Sequence, residues 1–162
     1  MTIAIIGGGA AGFFSAINAK ENYPDANVVI FEKSQKTLSK VKISGGGRCN
    51  VTNGTSSINE LHKAYPRGGK KLKKIFTEFG TLDTINWFES RGVPLYTQDD
   101  SRVFPESNNS QSIIDCLFNE INRLGISLKL GVGIMEIKQE ENQLKLFFKD
   151  EGIEPQLFDK VI

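Results

Sequence analysis

The spacing of apolar positions changes several times along this chain, and the changes mark its elements. Thr2 to Ile6 is a short, continuous, β-branched apolar run stopped by glycines, which predicts a strand buried on both faces. Ala10 to Lys20 is alanine-rich, with Phe13, Phe14 and Ile17 suiting a helix. Pro24-Asp25 signals a turn, and Asn27 to Phe31 (NVVIF) is a second continuous apolar run. Strand, glycine turn, helix, strand is a βαβ unit, and it predicts a parallel sheet.

The middle of the chain loses this regularity. Ser34 to Asn59 is polar and glycine-rich, a length that in a compact domain points to function or disorder. Ser57 and Glu60 have capping-box spacing and predict a helix start. Leu72 to Phe79 reads as a helix. Thr81 is the expected cap of a helix over Leu82 to Arg91, with Leu82, Ile85 and Phe88 on one face and Gly92 as its stop. Pro94 to Pro105 reads as a hairpin or loop around Asp99-Asp100. Ser110 to Leu124 is the clearest amphipathic helix: Ile113, Ile114, Leu117, Phe118, Ile121 and Leu124 form one stripe, ended by Gly125. Ser127 to Leu130, Ile134 to Gln139 and Gln143 to Lys149 are expected strands, the last two paired across Glu140-Glu141-Asn142. Phe158 to Ile162 opens a further apolar run without a following turn, the pattern of a truncated domain.

Bulk composition changes this picture little. The 162 residues suffice for one domain, with 39% hydrophobic and 24% charged residues, the profile of a soluble globular protein. A net charge of +1 offers no whole-chain attraction to nucleic acid or an anionic membrane. Two cysteines, Cys49 and Cys116, form no CxxC motif and fit a reducing compartment, and the glycine-broken N-terminus reads as neither signal peptide nor membrane span. The expected location is the cytoplasm.

Two glycine clusters carry the candidate chemistry. Gly7-Gly8-Gly9-Ala10-Ala11-Gly12 fits G-x-G-x-x-G between a strand and a helix, with an acid, Glu32, at the end of the second strand. Gly7 suits the tight turn, Gly9 the approach of a pyrophosphate and Gly12 close helix–strand contact. The helix N-terminus offers N–H groups to phosphates, and Glu32 can accept ribose hydroxyls while repelling a 2′-phosphate. This predicts a dinucleotide site and leaves FAD and NAD both open. The second cluster, Gly45-Gly46-Gly47-Arg48-Cys49-Asn50-Val51-Thr52-Asn53, follows Lys40 and Lys42 in the polar segment. Its glycines permit close backbone approach, Arg48 suits a phosphate or ring carbonyl, and Asn50 and Asn53 can donate and accept. A ligand larger than NAD explains such a loop better than NAD does.

These stretches resemble a known family. GGGAAG (Gly7 to Gly12), FEK (Phe31 to Lys33), KVKISGGGRCNVTN (Lys40 to Asn53), PRG (Pro66 to Gly68), WFESRGVPL (Trp87 to Leu95) and RVFP (Arg102 to Pro105) are similar to the N-terminal part of the BaiN-like bacterial FAD-dependent oxidoreductases. These are also known as aminoacetone-oxidase-type flavoproteins, within the glutathione-reductase-like FAD superfamily. The resemblance covers essentially the whole chain. It implies a Rossmann-like, doubly wound α/β FAD-binding domain over residues 1–162, with a parallel sheet plus a small antiparallel element. The family's inserted domain and C-terminal return segment would follow. It implies FAD as cofactor, held by Gly7, Gly9, Ala10, Ala11, Gly12, Glu32 and Lys33 at its ADP half. Lys40, Gly46, Gly47, Arg48, Cys49 and Asn50 would lie along the pyrophosphate and flavin side, and the Ile134 backbone near the adenine. The implied activity is hydride transfer between FAD and NADH or NADPH or a small organic substrate. The sequence departs from the family at Leu38-Ser39, where Gly-Arg is common, and at Ser101, where Gly is common.

The remaining candidates are mostly structural. Cys49 and Cys116 are expected in the core, His62 at a helix end or surface, and Trp87 and Phe88 in packing contacts. Arg102, Phe104 and Pro105 suit either a hairpin or a flavin-facing wall. Arg67 to Lys74 is the one basic run, expected as the solvated start of a helix, so that nucleic acid is not the expected partner. No metal site and no catalytic acid or base is expected. An NAD-dependent dehydrogenase domain, a flavoprotein acting on RNA and an inactive fragment are the alternative readings.

Overall fold

A computed structural model of the chain describes residues 1–65 and 67–162; Pro66, first of the PRG motif, lies outside the described residues. In chain order the first elements are β1 (Thr2–Ile6), α1 (Ala10–Asn22), β2 (Asn27–Glu32) and α2 (Ser39–Ile43). A 3-10 turn at Ser44–Gly47 leads into β3 (Thr52–Asn53), α3 (Ile58–Leu61), α4 (Gly69–Glu78) and α5 (Thr81–Glu89). Then come β4 (Leu95–Thr97), β5 (Arg102–Pro105), α6 (Ser110–Arg123), β6 (Ser127–Leu130), β7 (Ile134–Glu140), β8 (Gln143–Phe148), β9 (Gln156–Phe158) and β10 (Lys160–Val161).

The chain forms two compact units, one of residues 1–40 and 117–162, the other of residues 41–116. The first holds the expected parallel sheet, in the order β10-β1-β2-β6, with β1 and β2 in register from Thr2 opposite Asn27 to Ile6 opposite Phe31. Alternation puts Ile3, Ile5, Val28 and Ile30 on one face and Ala4, Val29 and Phe31 on the other, which is why the strands read as unbroken apolar runs. On the second face Ala4 and Phe31 join Leu146, Phe148 and Phe158 from an antiparallel sheet ordered β7-β8-β9. Phe31 meets Phe148 and Phe158 at ring-centroid distances of 5.5 and 5.8 Å. Phe13 of α1 lies edge-on to Phe118 at 5.2 Å. The final apolar run becomes the short strands β9 and β10, and β10 extends the parallel sheet beside β1.

The second unit is built on an antiparallel sheet ordered β3-β5-β4, with Val103 and Phe104 of β5 fully buried. Pro94 to Pro105 is the expected hairpin, and Arg102, Phe104 and Pro105 belong to its second strand.

The helix start expected at Ser57 is present: α3 begins at Ile58 with Ser57 as its cap residue, the Ser57 carbonyl accepting the N–H groups of Glu60 and Leu61 while its side chain makes no capping bond. Two local expectations differ from the structure. Thr81 is not the cap of α5. Gly80 is, its N–H donating to Asp83 at 2.7 Å, while the Thr81 hydroxyl donates to the Thr55 carbonyl at 2.7 Å and so ties α5 to the loop after β3. Leu82, expected on the buried face of α5 with Ile85 and Phe88, is 55% exposed; Phe88 is buried as expected and is joined there by Trp87, their rings edge to face at 4.8 Å. The helical period was right but short, and the large aromatic pair set which way it turned.

Candidate functional site

The first glycine turn is shaped by two different demands. Gly7 has φ +111°, a conformation open to glycine alone. A Cβ on Gly12 would fall 1.9 Å from the Gly7 carbonyl oxygen, so only glycine lets α1 start this close to β1. Gly9 differs: a Cβ there would meet nothing within 4 Å. Gly9, Ala10 and Ala11 are exposed, and no side chain caps α1. The first N–H groups of the helix have no intrahelical acceptors, so this open turn presents donors and the positive end of a helix dipole to solvent. The donor set and the absence of side chains over it fit a pyrophosphate.

Glu32 is locked onto this turn. Its Oε2 accepts the Gly8 N–H at 2.7 Å and its Oε1 accepts the Ser34 N–H at 2.8 Å. Burial acts to raise its pKa, but the Gly8 and Ser34 hydrogen bonds and the adjacent Lys33 charge outweigh it and hold the carboxyl below the usual glutamate value. Beyond Glu32 the chain segment after β6 folds back: Gly131 donates to the Ser34 carbonyl at 3.0 Å and Val132 to the Glu32 carbonyl at 2.9 Å. The result is a cavity of about 340 Å³ lined by Gly7, Glu32, Lys33, Gly133, Ile134 and Lys149 among others. Thus Gly7, Glu32, Lys33 and Ile134, scattered over more than a hundred residues of sequence, share one cavity. Each Glu32 oxygen keeps a further lone pair for a ribose hydroxyl. Cavity, acid and turn together fit the adenosine diphosphate half of a dinucleotide.

Lys40 is exposed on α2. In the second unit, Gly45, Gly46 and Gly47 have φ of +56°, +69° and +87°, so the triple glycine is a backbone requirement. A Cβ on Gly45 would also press on the Phe104 ring at 2.7 Å and the Asn50 nitrogen at 2.9 Å, whereas Gly46 and Gly47 are open. Arg48 lays its guanidinium on the buried Phe104 ring, 4.0 Å from the centroid, and donates through Nε to the Gly45 carbonyl at 3.3 Å. No carboxylate pairs with Arg48 among the described residues, so its terminal nitrogens are held flat and available. Cys49 also has a positive φ, of +64°, and is buried; burial pushes its thiol pKa up, against a lesser opposing bond from Ser44. That is the profile of a packing thiol rather than a reactive one. The Asn50 amide nitrogen faces the carbonyls of Thr52 at 3.1 Å and Val103 at 3.3 Å, and Asn53 Oδ1 accepts the Thr55 N–H at 2.8 Å. Both asparagines are thus engaged in shaping the loop.

Residues 1–158 match the family described as HI0933-like protein Rossmann domain. The chain belongs to this family. Its fold is the Rossmann fold of that family. It is 32% identical to a 3-dehydro-bile acid delta(4,6)-reductase of Clostridium scindens over 84% of this chain and 32% of that protein. It is 26% identical to a ribosomal RNA dihydrouridine synthase of Escherichia coli over 88% of this chain and 34% of that protein. The chain thus spans about a third of the length of the curated relatives it matches. Among solved structures, a flavocytochrome c3 fumarate reductase superposes with a TM-score of 0.70 at 20% identity, over 99% of this chain and 32% of that one.

Several residues that shape this family member's site carry no motif signal. Gly8 occupies an x position of the fingerprint, yet it is buried, and a Cβ there would fall 2.6 Å from Thr37 Cγ2 and 3.0 Å from Glu32 Cβ. Its carbonyl accepts the Leu38 N–H at 3.0 Å, so Gly8 joins the turn both to Glu32 and to the following loop. Lys149 and Gly133 enter the cavity from the antiparallel sheet. The expected hairpin of β7 with β8 brings Lys149 near Ile134, but no motif marks Lys149 as lining a cavity. The two departures from the family pattern have a backbone meaning: Leu38 has φ +52° and Ser101 φ +65°. At both places the glycine common in the family suits a left-handed conformation that this chain adopts with a side chain.

Proposed function

We propose that this chain holds the ADP half of FAD at Gly7 to Gly12, Glu32 and Lys33, and works as the cofactor domain of a reductase of carbon–carbon double bonds conjugated to a carbonyl. The observation that carries the cofactor reading is the locked Glu32 beside an uncapped, open glycine turn. FAD held here would supply two-electron hydride chemistry, with NADH or NADPH as the proposed donor. The chain's own part is positional. The α1 N-terminus offers N–H donors and a dipole to the pyrophosphate, Glu32 accepts the ribose hydroxyls, and the Ile134 backbone edges the adenine. In the second unit the open Gly46 and Gly47 backbone and the Arg48 guanidinium, held flat on Phe104, suit a phosphate or ring carbonyl.

Names of two relatives support the substrate class. A 3-dehydro, delta(4,6) bile acid has double bonds in conjugation with its ketone, and a dihydrouridine is a uridine whose ring double bond, conjugated to a carbonyl, has been reduced. A small organic substrate in a reducing cytoplasm is the first reading. RNA is the second, favoured by α4, whose Lys70, Lys71, Lys73 and Lys74 are all exposed. The test is anaerobic mixing of the FAD-loaded protein with NADH or NADPH, watching the visible flavin band, then with a conjugated enone or a uridine-containing RNA. Bleaching by nicotinamide followed by recovery on the enone supports the first reading. Recovery on RNA alone supports the second, and no bleaching by either nicotinamide sinks the electron-donor assignment.

A further inference from the structure

The cavity beside Glu32 has one wall that the nucleotide fingerprint does not supply. Lys149 follows β8, and its N–H donates to the Gly133 carbonyl at 2.8 Å. A Cβ built on Gly133 would lie 3.1 Å from Lys149 Cδ and 3.5 Å from its Cγ, with Lys33 Cβ also at 3.5 Å. The methylene stem of Lys149 therefore lies against the Gly133 backbone, close enough that a Cβ there would push it aside by a few tenths of an ångström. Lys33, Gly133, Ile134 and Lys149 all line the same cavity. No ion pair engages Lys149 among the described residues, and it is exposed, so no acid fixes its course. A lysine stem lying along a cavity edge with its charge in water offers a flat apolar strip.

We infer that Lys149 is a nucleotide-binding residue whose methylene stem forms one wall for the purine base, with Gly133 as the platform that sets its course. The inference rests on the reading of this cavity as the adenosine end of the dinucleotide site. It assigns the contact to the stem and not to the ammonium: a purine presents an apolar face, and the Glu32 carboxylate already supplies the site's polar recognition of ribose. Lys149→Ala removes the stem, Lys149→Met keeps an unbranched apolar stem without the charge, and Gly133→Val displaces both.

The experiment is calorimetric titration of the protein with ADP and, separately, with FAD, alongside thermal melts. Lys149→Ala should weaken ADP and FAD by the same factor, roughly 4- to 15-fold, the worth of one or two methylenes removed from contact. Its melting temperature should stay that of the wild type, because the side chain is exposed, which separates a binding role from a structural one. Lys149→Met should bind ADP close to wild type. Unchanged ADP and FAD affinity in Lys149→Ala overturns the inference while leaving the dinucleotide site standing. Loss in Lys149→Met equal to that in Lys149→Ala overturns the stem in favour of the charge. A wild-type protein that binds neither ADP nor FAD overturns the dinucleotide reading and this inference with it.

Discussion

The Gly8 N–H donates to Glu32 Oε2 at 2.7 Å, so the acid of the fingerprint and the glycine turn are one hydrogen-bonded unit. Glu32 is therefore oriented before any ligand arrives, by Gly8 on one oxygen and Ser34 on the other. Preorganisation of this kind lowers the ordering cost of binding.

Glu32→Gln keeps the shape but replaces an acceptor oxygen with an amide that faces an N–H donor. Affinity for FAD and ADP should fall roughly tenfold, the scale of one charged hydrogen bond. The same residue gives a pH signature. Its folded-state pKa lies below the ordinary 4.5, so its stabilising contribution is complete above that value and is lost as pH falls through the lower folded-state value. Urea melts taken from neutral pH downward should show wild type and Glu32→Gln converging in acid. Parallel curves down to the acid limit would show that Glu32 contributes no pH-linked stability.

Gly9→Ala and Gly12→Ala should part company. Gly9 has φ −90°, which alanine adopts without strain, and open space around it, so its variant should melt normally yet lose dinucleotide affinity. Gly12→Ala drives a methyl into the Gly7 carbonyl and should cost about 1–3 kcal/mol of stability before any ligand is added. Melting curves and ADP titrations of the pair separate backbone fit from ligand fit; equal melting losses in both would contradict the assignment.

How much of this was legible beforehand depends on whether the information was local. β1, α1 and β2 read correctly because buried parallel strands are continuous apolar runs and the glycines between them are unmistakable. Gly7, Gly12 and Glu32 follow from the same stretch. Thr81 misled because a hydroxyl at a helix start is usually a cap, and here a tertiary bond to the Thr55 carbonyl claimed it. Leu82 misled because a nine-residue helix fits more than one apolar face, and Trp87 with Phe88 decided the outcome. Gly8 and Lys149 escaped for a different reason. The partner of Gly8 lies 24 residues away, and the hairpin that places Lys149 beside Ile134 was legible while the cavity formed with Glu32 and Lys33 was not.

Ser101→Gly should stabilise the second unit. Ser101 has φ +65° at the hairpin tip, where glycine carries no Cβ penalty. The expected gain is up to about 1 kcal/mol, after glycine's larger unfolded-state entropy is counted. Leu38→Gly should not help, since Leu38 is buried and its packing would be lost along with its strain. Denaturant midpoints of the two variants decide this; a destabilised Ser101→Gly would contradict it.

Arg48→Ala should cost roughly 1 kcal/mol or less, the worth of one cation–π contact at a partly exposed site. Phe104→Ala should cost about 3–5 kcal/mol, because that ring is fully buried. A large loss of FAD affinity in Arg48→Ala at nearly unchanged stability would mark Arg48 as a binding residue. Unchanged affinity would mark it as a lid on Phe104 alone.

FAD binding by these residues is read from the visible absorbance spectrum of the purified protein after incubation with FAD and removal of unbound ligand. The expected result is a flavin spectrum at near-equal molar ratio, with FAD as the species released on denaturation and with Gly9→Ala depleted of it. A colourless wild-type protein that takes up no added FAD would show that these residues are not an FAD site.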